Sequence, residues 1–350
     1  MKSFILIDGN AILHRAYHAL PPLTNKKGEV ANAVYGFFSM FLKIIEDLKP
    51  VYVAVCFDRP KPTFRQALFA GYQQHRPAMA DDLVPQVGMV HAVLEKMKIA
   101  IFEIDGYEAD DLIGTLAKQA VHKTIEDRRW KVAVEGRSSK IERKKIHPQS
   151  SNFKNLPSTV YHLPSNLEVI IVSGDRDMLQ LVNGHVKVLM PVTGLSNTLL
   201  YDPKKVEEKY GVTPSQFIDY KALVGDASDG YPGVSGIGPK TASGLIKEFG
   251  TFENLYKHVG DLPEKIGLKL ATDAEQAALA KKLATIVTDA PVSFDGEKCN
   301  FKHFDMGGTR SAFEELGFKS LLKRFVSSMP GEKKKEKIKE KKDNQQLGLL

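Results

Sequence analysis

Nine acidic residues of this 350-residue chain stand at or just beyond the ends of predicted strands and helices. They are Asp8, Asp58, Glu108, Asp110, Asp111, Asp175, Asp177, Asp226 and Asp229. Three of them close apolar runs that are typical of buried strands, and the others follow within a few residues or end a helical pattern. Because the carboxyl ends of parallel strands meet at one edge of a sheet, we expect these acids to converge there.

A single acid after a strand has an ordinary explanation, since Asp often caps the helix that follows. That explanation fails for the whole set, because so many converging carboxylates repel one another and burial raises the free-energy cost further. Divalent cations are the natural compensation, and all-oxygen ligands favour Mg²⁺ or Mn²⁺ over zinc. Two such ions about 4 Å apart are the usual machinery for phosphodiester displacement, so the acids predict a metal-dependent phosphodiesterase.

The elements that must position these acids alternate between strands and helices. Apolar runs predict strands at 4–8, 51–58, 99–106 and 169–175, with helical patterns between them at 33–48, 83–97 and 109–120. This alternation predicts an α/β fold with a mostly parallel central sheet flanked by helices. Strand signals fade from residue 203, where short helices with Gly and Pro turns take over, so we place a domain boundary near 202.

Composition excludes several classes of protein. Hydrophobic residues make up 43% of the chain, enough for a core, and no run of about 18 apolar residues predicts a membrane span. Only Cys56 and Cys299 occur, which argues against a disulfide framework and for a reducing cytoplasm. The net charge of +7 combines +6 at 121–166, +3 at 331–350 and −2 elsewhere. The basic excess therefore lies apart from the acids that carry the chemistry.

A glycine-rich string, GVSGIGPKTA at 233–242, offers a way to hold nucleic acid. It follows a helical pattern and lacks the Rossmann glycine spacing, so it predicts a helix–hairpin–helix turn. Gly236 and Gly238 would let backbone N–H groups approach a phosphate, and the helix that begins near Lys240 and Thr241 would add its dipole. An ordinary helix–helix turn is the alternative, but beside a metal-binding edge we favour duplex binding without sequence specificity.

Residues 61–77 combine positive charge with aromatic rings near the end of the Asp58 strand. Arg65, Tyr72, His75 and Arg76 offer the charge and stacking surface that a groove for single strands requires. A solvated amphipathic helix would explain the same local pattern equally well.

Together these strings closely resemble the 5′-nuclease domain of bacterial DNA polymerase I, in the flap endonuclease-like superfamily. The resemblance is carried by FILIDGN at 4–10, CFD at 56–58, GYEADD at 106–111, SGDRD at 173–177, GDASD at 225–229 and GIGPK at 236–240. It covers roughly 1–120 and 167–325. It implies a PIN-like nuclease domain at 1–202 with a helical arch at about 60–97, then a helix–three-turn–helix region at 203–327.

The resemblance also implies roles for individual residues in a structure-selective 5′ nuclease with two Mg²⁺ ions, for which Mn²⁺ can substitute. The first ion would be served by Asp8, Asp58, Glu108 and Asp110, and the second by Asp111, Asp175, Asp177 and Asp226, with Asp229 in support. Family positions that grip the scissile phosphate or a strand under the arch match Arg15, Arg65, Tyr72 and Arg76. Duplex phosphates would be held by Gly236, Gly238 and Lys240, with a K⁺ ion on the hairpin carbonyls.

Three parts of the chain depart from the family pattern. Gln73 replaces a usual Lys after the arch tyrosine, and Gly230 follows Asp229 where the family has Asn, which puts rate and flap preference in question but not the chemistry. The basic segment 121–166 is an insertion in a helix-to-strand connection, expected at the edge opposite the acids. It is either a surface elaboration or a basic patch that contacts distal DNA or a partner.

The Lys-rich tail 328–350 is predicted to be disordered and to end in a possible docking motif. The residues Gln346, Leu347, Leu349 and Leu350 resemble the peptide with which bacterial proteins bind the β sliding clamp, although Leu350 replaces the usual Phe. The alternative is an ordinary disordered end. Since no polymerase domain follows, we expect either a free-standing nuclease or an excised fragment.

These observations predict an Mg²⁺-dependent 5′→3′ exonuclease and 5′-flap endonuclease that acts in primer removal, replication or repair. Its expected partners are branched or 5′-flapped duplex DNA and RNA–DNA primer junctions, and it is expected to be a monomer in the bacterial cytoplasm, associated with the nucleoid. Two alternatives remain, a PIN-like ribonuclease and a DNA-junction binding module without catalysis.

Overall fold

The computed structural model describes residues 2–138, 167–194 and 197–328. The predicted insertion from residue 139 onward lies outside the described residues, and so does the tail from 329 with its clamp-binding motif. In the described part of the chain, no helix combines the length and the apolar character needed to cross a membrane.

A six-stranded sheet forms the centre of the fold. Its strands are β1 (Lys2–Asp8), β2 (Tyr52–Cys56), β3 (Ala100–Phe102), β4 (Leu167–Val172), β5 (Val186–Thr193) and β6 (Asn197–Tyr201). Their order is β3-β2-β1-β4-β5-β6, parallel except for the β5–β6 pair. The mostly parallel sheet predicted from the sequence is therefore confirmed. The order reverses between β1 and β4, which is where ligands bind in open sheets of this kind.

Helices cover both faces of the sheet and form most of the second half of the chain. Those before β4 are α1 (Gly9–Ala19), α2 (Asn32–Leu48), α3 (Phe64–Leu68), α4 (Val84–Lys96) and α5 (Ala109–Ser138). Those after β6 are α6 (Pro203–Tyr210), α7 (Phe217–Val224), α8 (Pro239–Phe249), α9 (Phe252–Lys257), α10 (Glu264–Thr272), α11 (Ala274–Ala284), α12 (Met306–Leu316) and α13 (Lys319–Ser328). A two-stranded ribbon, β7 (Gly225–Asp226) with β8 (Tyr231–Pro232), follows α7.

Short 3₁₀ helices complete the described elements, at Asp177–Leu181, Pro214–Gln216, Val259–Asp261 and Phe301–His303. Three of these elements differ from the sequence expectation. The strands β5 and β6 were not predicted, and the backbone of α5 continues as a helix to Ser138, although the insertion was predicted to begin at 121.

Alternate residues of β1 enter two separate cores, which explains its continuous apolar sequence. Phe4 and Leu6 pack on one face with α5 and with apolar residues of α7 and α8. Ile5 and Ile7 pack on the other face with α2, α4 and the last two helices, where Phe38 meets Phe313 with ring centroids 5.8 Å apart. The helical region therefore shares both of its cores with the sheet, and the change of structure near residue 202 is not a break in packing.

Candidate metal centre

The carboxyl ends of the central strands open into one acidic cavity of about 630 Å³. Seven of the nine predicted acids line it: Asp8, Asp58, Glu108, Asp110, Asp175, Asp177 and Asp229. We call Asp8, Asp58, Glu108 and Asp110 the first acid group, and Asp175, Asp177, Asp226 and Asp229 the second acid group. The parallel strands bring these acids together because each places its carboxyl end at the same edge of the sheet.

Asp8 links the end of β1 to the start of α1. Its Oδ1 accepts the N–H of Ala11 at 2.9 Å as a helix cap, and its Oδ2 accepts the hydroxyl of Ser173 at 2.7 Å. Burial and the neighbouring carboxylate of Asp58 raise the pKa of Asp8 to about 7. Asp8 therefore caps α1 with one oxygen and contacts Ser173 with the other. The capping role and the predicted role at the acidic edge apply to the same residue.

Asp58 and Asp110 complete the centre of the first acid group. The Asp58 Oδ1 accepts the N–H of Ala109 at 2.7 Å, which ties the end of β2 to the start of α5. Surrounding protein atoms raise the pKa of Asp58, although the residue is accessible from the cavity. Burial, with the charges of Asp175 and Asp8, raises the pKa of Asp110 well above its usual range. These groups resist ionisation together unless a cation compensates them.

Glu108 lies at the wall of the cavity next to the arch. Its two oxygens accept hydroxyl groups, Oε1 from Thr63 at 3.0 Å and Oε2 from Tyr72 at 3.1 Å. Burial raises the pKa of Glu108 to about 7, against the opposing effect of Arg65, whose Nη1 lies 3.3 Å from Oε2.

The second acid group lies between the end of β4 and the β7–β8 ribbon. Asp177, Asp226 and Asp229 each offer an oxygen within 4.8 Å of the others, the spacing that a shared cation requires. Asp175 Oδ1 accepts the N–H of Asp177 at 2.8 Å and so fixes the start of the 3₁₀ helix after β4. The donor set consists only of carboxylate oxygens, which suits a hard divalent ion.

Lys221, on α7, places an ammonium group in the second acid group. Its Nζ lies 2.6 Å from Asp177 Oδ1 and also donates to Asp226 Oδ2. Burial works to lower the pKa of Lys221, but the two carboxylates raise it above its ordinary value. The same contacts outweigh burial at Asp226 and lower the pKa of its carboxyl. Part of the negative charge here is thus neutralised by the protein itself.

Arg65 lines the cavity, but its guanidinium is bound to Asp111, which does not line it. The Arg65 Nη1 and Nη2 donate to Asp111 Oδ2 and Oδ1, both at 2.8 Å, and both side chains are almost fully buried. Asp111 also accepts the backbone N–H of Val287 at 2.9 Å. This geometry differs from the expected roles, in which Arg65 grips phosphate and Asp111 binds the second ion, because the pair uses its charge to join the arch, α5 and the helical region.

The arch contacts the second acid group directly. Arg76 Nη2 lies 2.6 Å from Asp229 Oδ1, and the Nε2 of Gln73 donates to the same oxygen at 3.2 Å. Tyr72 is buried and stacks on Tyr231 of β8, with centroids 6.5 Å apart and planes at 13°. Residues 72–76 therefore lie against the ribbon rather than apart from it.

Gly230 explains how the arch and the ribbon come so close. Its φ is +75°, and a Cβ there would lie 3.0 Å from the carbonyl oxygen of Gly71. The departure from the family's usual Asn thus coincides with a left-handed position that a larger side chain fills less easily.

The other predicted DNA contacts are spread over the surface. Arg15, on α1, donates its Nε to the carbonyl of Gly194 at 2.9 Å, beyond the end of β5. His75 is exposed beside the ribbon. Lys240 is also exposed and Thr241 is half-buried, both in the first turn of α8, for which Gly238 is the N-cap. Within the described part of the chain, none of these groups hydrogen-bonds or pairs with the nine acids.

Two residues of the site escaped the sequence analysis as functional candidates. Lys221 has a detectable signal, since it is the one cation inside the apolar pattern FIDYKALV of α7, where a buried Lys needs a carboxylate partner. Ser173 lies in the SGDRD string, where its hydroxyl bridges Asp8 and the N–H of Asp175. Only the fold shows which carboxylate each of them contacts.

Two family models match this chain over both of its regions. One, described as the 5′-3′ exonuclease N-terminal resolvase-like domain, matches residues 3–132, and the other, the 5′-3′ exonuclease C-terminal SAM fold, matches 212–307. A 5′-3′ exonuclease of Aquifex aeolicus is 32% identical, with 92% of this chain and 95% of the relative covered. The chain belongs to the 5′-3′ exonuclease family.

DNA polymerase I of Bacillus subtilis is 36% identical over 93% of this chain, but the match covers 32% of the polymerase. The chain therefore spans about a third of the length of the polymerases it matches.

Two solved structures share the fold at low sequence identity. The T5 D15 protein, crystallised with metal ions, has a TM-score of 0.59 at 18% identity, with 93% of this chain and 98% of that chain covered. The catalytic core of Rad2 in complex with DNA has a TM-score of 0.53 at 14% identity, with 94% and 92% covered. These likenesses confirm the architecture of a parallel sheet with an attached helical region.

Proposed function

We propose that this exonuclease-family chain hydrolyses DNA phosphodiesters as a 5′→3′ exonuclease and 5′-flap endonuclease that depends on divalent cations, preferably Mg²⁺. The observation that carries the proposal is the convergence of seven carboxylates on one cavity at the carboxyl edge of the sheet. Two related structures, a T5 flap endonuclease with DNA and metal ions and a Rad2 core with DNA, agree with this class of substrate.

Two divalent ions fit the donor set. Asp8, Asp58 and Asp110, with Glu108 at the wall, would hold one, since these carboxylates meet at one end of the cavity and no Lys or Arg of the described residues pairs with the first three. Asp175, Asp177, Asp226 and Asp229 would hold the other, in competition with Lys221 for two of these acids. Asp111 is left out because its side chain is fully buried, does not line the cavity and is neutralised by the paired guanidinium of Arg65. Bound ions of this kind activate water and stabilise the charge that develops on phosphate.

The chain's own side chains would place the scissile phosphate against this edge. Arg76 is half exposed at the mouth of the cavity, so its free guanidinium N–H groups can donate to a phosphate while Nη2 stays with Asp229. Gln73 contributes an amide and no charge, so the arch has one cation fewer than the family pattern. We therefore propose Arg76 as the main phosphate contact of the arch.

The helical region would hold the duplex behind the cleaved end. The turn at 233–238 leads into α8, whose first residues carry Lys240 and Thr241. Such a turn contacts the backbone of DNA without reading bases, which suits a nuclease that recognises a junction by shape. The K⁺ ion predicted on this turn remains a prediction, and Lys269 competes with it because it donates to the carbonyl of Gly236.

Cleavage of defined substrates tests the proposal. A 5′-flap duplex labelled at its 5′ end should be cut in Mg²⁺ and not in EDTA, and Asp175→Ala should lose most of the activity. Asp105→Ala is a matched control, since Asp105 is an exposed acid that pairs with Lys61 and Arg59 near the cavity. Binding without cleavage in every metal would favour the non-catalytic junction module, and cleavage of single-stranded RNA alone would favour the ribonuclease.

RNA–DNA primer junctions, the monomeric state and the nucleoid association also remain predictions. Docking on a β sliding clamp rests on residues 345–350, which lie outside the described residues. Retention on immobilised clamp with and without these six residues tests it, and equal retention would reject the motif.

A further inference from the structure

The turn at 233–238 is held from one side by three side chains, one from α10, one from α11 and one from the residue between these helices. Lys269 Nζ donates to the carbonyl of Gly236 at 2.8 Å, and Gln276 Nε2 donates to the carbonyl of Gly233. Asp273 Oδ2 accepts the backbone N–H of Ser235 at 2.7 Å. The conformation of the turn is thus fixed by side chains from outside it.

The carbonyl groups of this turn are mostly engaged by protein donors. Besides Gly233 and Gly236, the carbonyl of Val234 accepts the N–H of Ile237 at 3.0 Å, and that of Gly238 accepts the N–H of Ala242 at 2.9 Å. A bound K⁺ ion requires several carbonyl oxygens that replace its hydration shell. Four of the six residues of the turn therefore offer oxygens that already have a donor, and although each carbonyl keeps a second lone pair, side-chain donors stand at Gly233 and Gly236. The turn therefore fits the predicted ion poorly.

The ammonium of Lys269 stands where such an ion would sit against Gly236. The φ of Gly236 is +73°, and a Cβ there would lie 2.5 Å from Lys269 Nζ, so only glycine leaves room for the contact. Among the described residues, no carboxylate forms an ion pair with Lys269. Its positive charge is therefore available to an anion that approaches the turn.

We propose that Lys269 is the built-in cation of the 233–238 turn, a positioning residue that makes duplex binding independent of K⁺. The inference deepens the proposed function and rests on it, since it assumes that this turn holds the DNA backbone. By fixing the carbonyl of Gly236, Lys269 holds the turn so that the backbone N–H groups of Gly238 and Lys240 face a phosphate, while that of Ile237 stays bonded to Val234. The permanent ammonium of Lys269 takes the place of an exchangeable monovalent ion at the carbonyl of Gly236.

Equilibrium binding of a fluorescent 5′-flap duplex in EDTA, where the DNA stays intact, tests this role. The wild-type chain should bind with the same affinity in KCl and NaCl of equal ionic strength, within about twofold, because salt then acts only through counterion release. Lys269→Met should bind about tenfold more weakly in NaCl, through the lost charge and the loosened turn, and should recover part of that loss in KCl. Lys269→Arg should restore binding without a preference for K⁺.

Lys265→Met is the matched control, since Lys265 is exposed one turn earlier on α10 and its loss removes the same charge. Lys265→Met should reduce the salt dependence of the affinity by no more than the loss of one phosphate contact would. Its affinity for the duplex should be the same in KCl and in NaCl of equal ionic strength. A purely structural role of Lys269 would weaken binding in both salts alike.

The outcomes separate this inference from the proposed function. Tighter wild-type binding in KCl than in NaCl, or a Lys269→Met variant that matches Lys265→Met in both salts, would overturn the inference while cleavage persists. If Lys269→Met fails to fold, the wild-type comparison of the two salts, with Lys269→Arg, still decides. Absence of DNA binding by the wild-type chain in any salt would overturn the proposed function and this inference together.

Discussion

The two acid groups of the cavity differ in how their charge is compensated. In the second acid group, the ammonium of Lys221 and the guanidinium of Arg76 each lie 2.6 Å from a carboxylate oxygen. In the first acid group, no Lys or Arg of the described chain pairs with Asp8, Asp58 or Asp110. All four pKa values of the first acid group are raised. In the second, burial also raises the pKa values of Asp177 and Asp229. At Asp226, however, hydrogen bonds from Lys221 and Ser228 outweigh burial and lower its pKa.

This difference indicates which of the two acid groups depends on a cation from outside the protein. The first acid group is assembled by the sheet and the start of α5, which supply carboxylates and backbone donors. Among the described residues, its cation contact is Arg65, which lies 3.3 Å from Glu108 but is also paired with Asp111. The second acid group receives its cations from α7 and from the arch. We infer that the first acid group requires a divalent ion for its charge, while the second is partly balanced before any ion binds.

The largest effect is expected from removing one charge of the first acid group. Asp8→Asn should reduce the rate of flap cleavage in Mg²⁺ by roughly 10³-fold, since a lost ligand removes several kcal/mol of charge stabilisation. The same variant should raise the unfolding temperature in EDTA, because it removes a buried, repelled carboxylate. Asp105→Asn serves as the control for both assays, and a normal rate for Asp8→Asn would refute the role of the first acid group.

A large effect on stability is expected from Lys221. Lys221→Met should lower the free energy of unfolding in EDTA by about 3 kcal/mol, because it leaves Asp177 and Asp226 without a buried partner. Divalent ions should recover much of this loss, since they bind the same carboxylates. Denaturant unfolding with EDTA and with Mg²⁺ measures both values, and Lys204→Met, at an exposed pair, should change either by less than about 0.5 kcal/mol. An equal loss in the free energy of unfolding with EDTA and with Mg²⁺ would contradict the proposed difference between the two acid groups.

The pH dependence of stability should follow the buried carboxylates of both acid groups. Asp8, Glu108 and Asp177 have pKa values of about 7 in the folded chain against 3.8, 4.5 and 3.8 ordinarily, so the unfolded chain releases their protons at lower pH. In EDTA, stability should therefore be highest near pH 4 with respect to these groups and fall by a few kcal/mol as pH rises to 7. Mg²⁺ should oppose this fall because it binds the ionised carboxylates. Thermal unfolding at pH 5, 6 and 7 measures how stability changes with pH. A stability that rises with pH in EDTA would contradict the prediction.

The smallest effect is expected from restoring the usual arch cation. Gln73→Lys should strengthen binding of the flap substrate by less than about 1 kcal/mol, since residue 73 already contacts Asp229 and an added surface charge contributes little. Gln74→Lys, at the exposed neighbour, separates a specific effect from a general gain in charge. A change of tenfold or more at residue 73 alone would mean that the arch contacts the scissile phosphate more directly than its geometry indicates.

The sequence predicted those parts of the fold whose signals are local. The run at β1 was recognised because it is buried on both faces, and each acid at a strand end could be assigned to the same sheet edge. The strands β5 and β6 were not among the predicted ones, since β5 mixes buried with half-buried positions and contains Pro191, and β6 lies at the sheet edge. The extent of α5 was missed because its second half is charged and lacks a clear apolar stripe.

The sequence by itself determined the chemistry available at the sheet edge, because strand direction and the position of an acid in a strand are both local properties. Only the tertiary structure decided how each charge is used. Arg65 pairs with Asp111 across 46 residues, and Lys221 enters the second acid group from a helix whose position depends on packing against the sheet. Such contacts depend on which segments the two cores bring together, and no spacing within one segment encodes them.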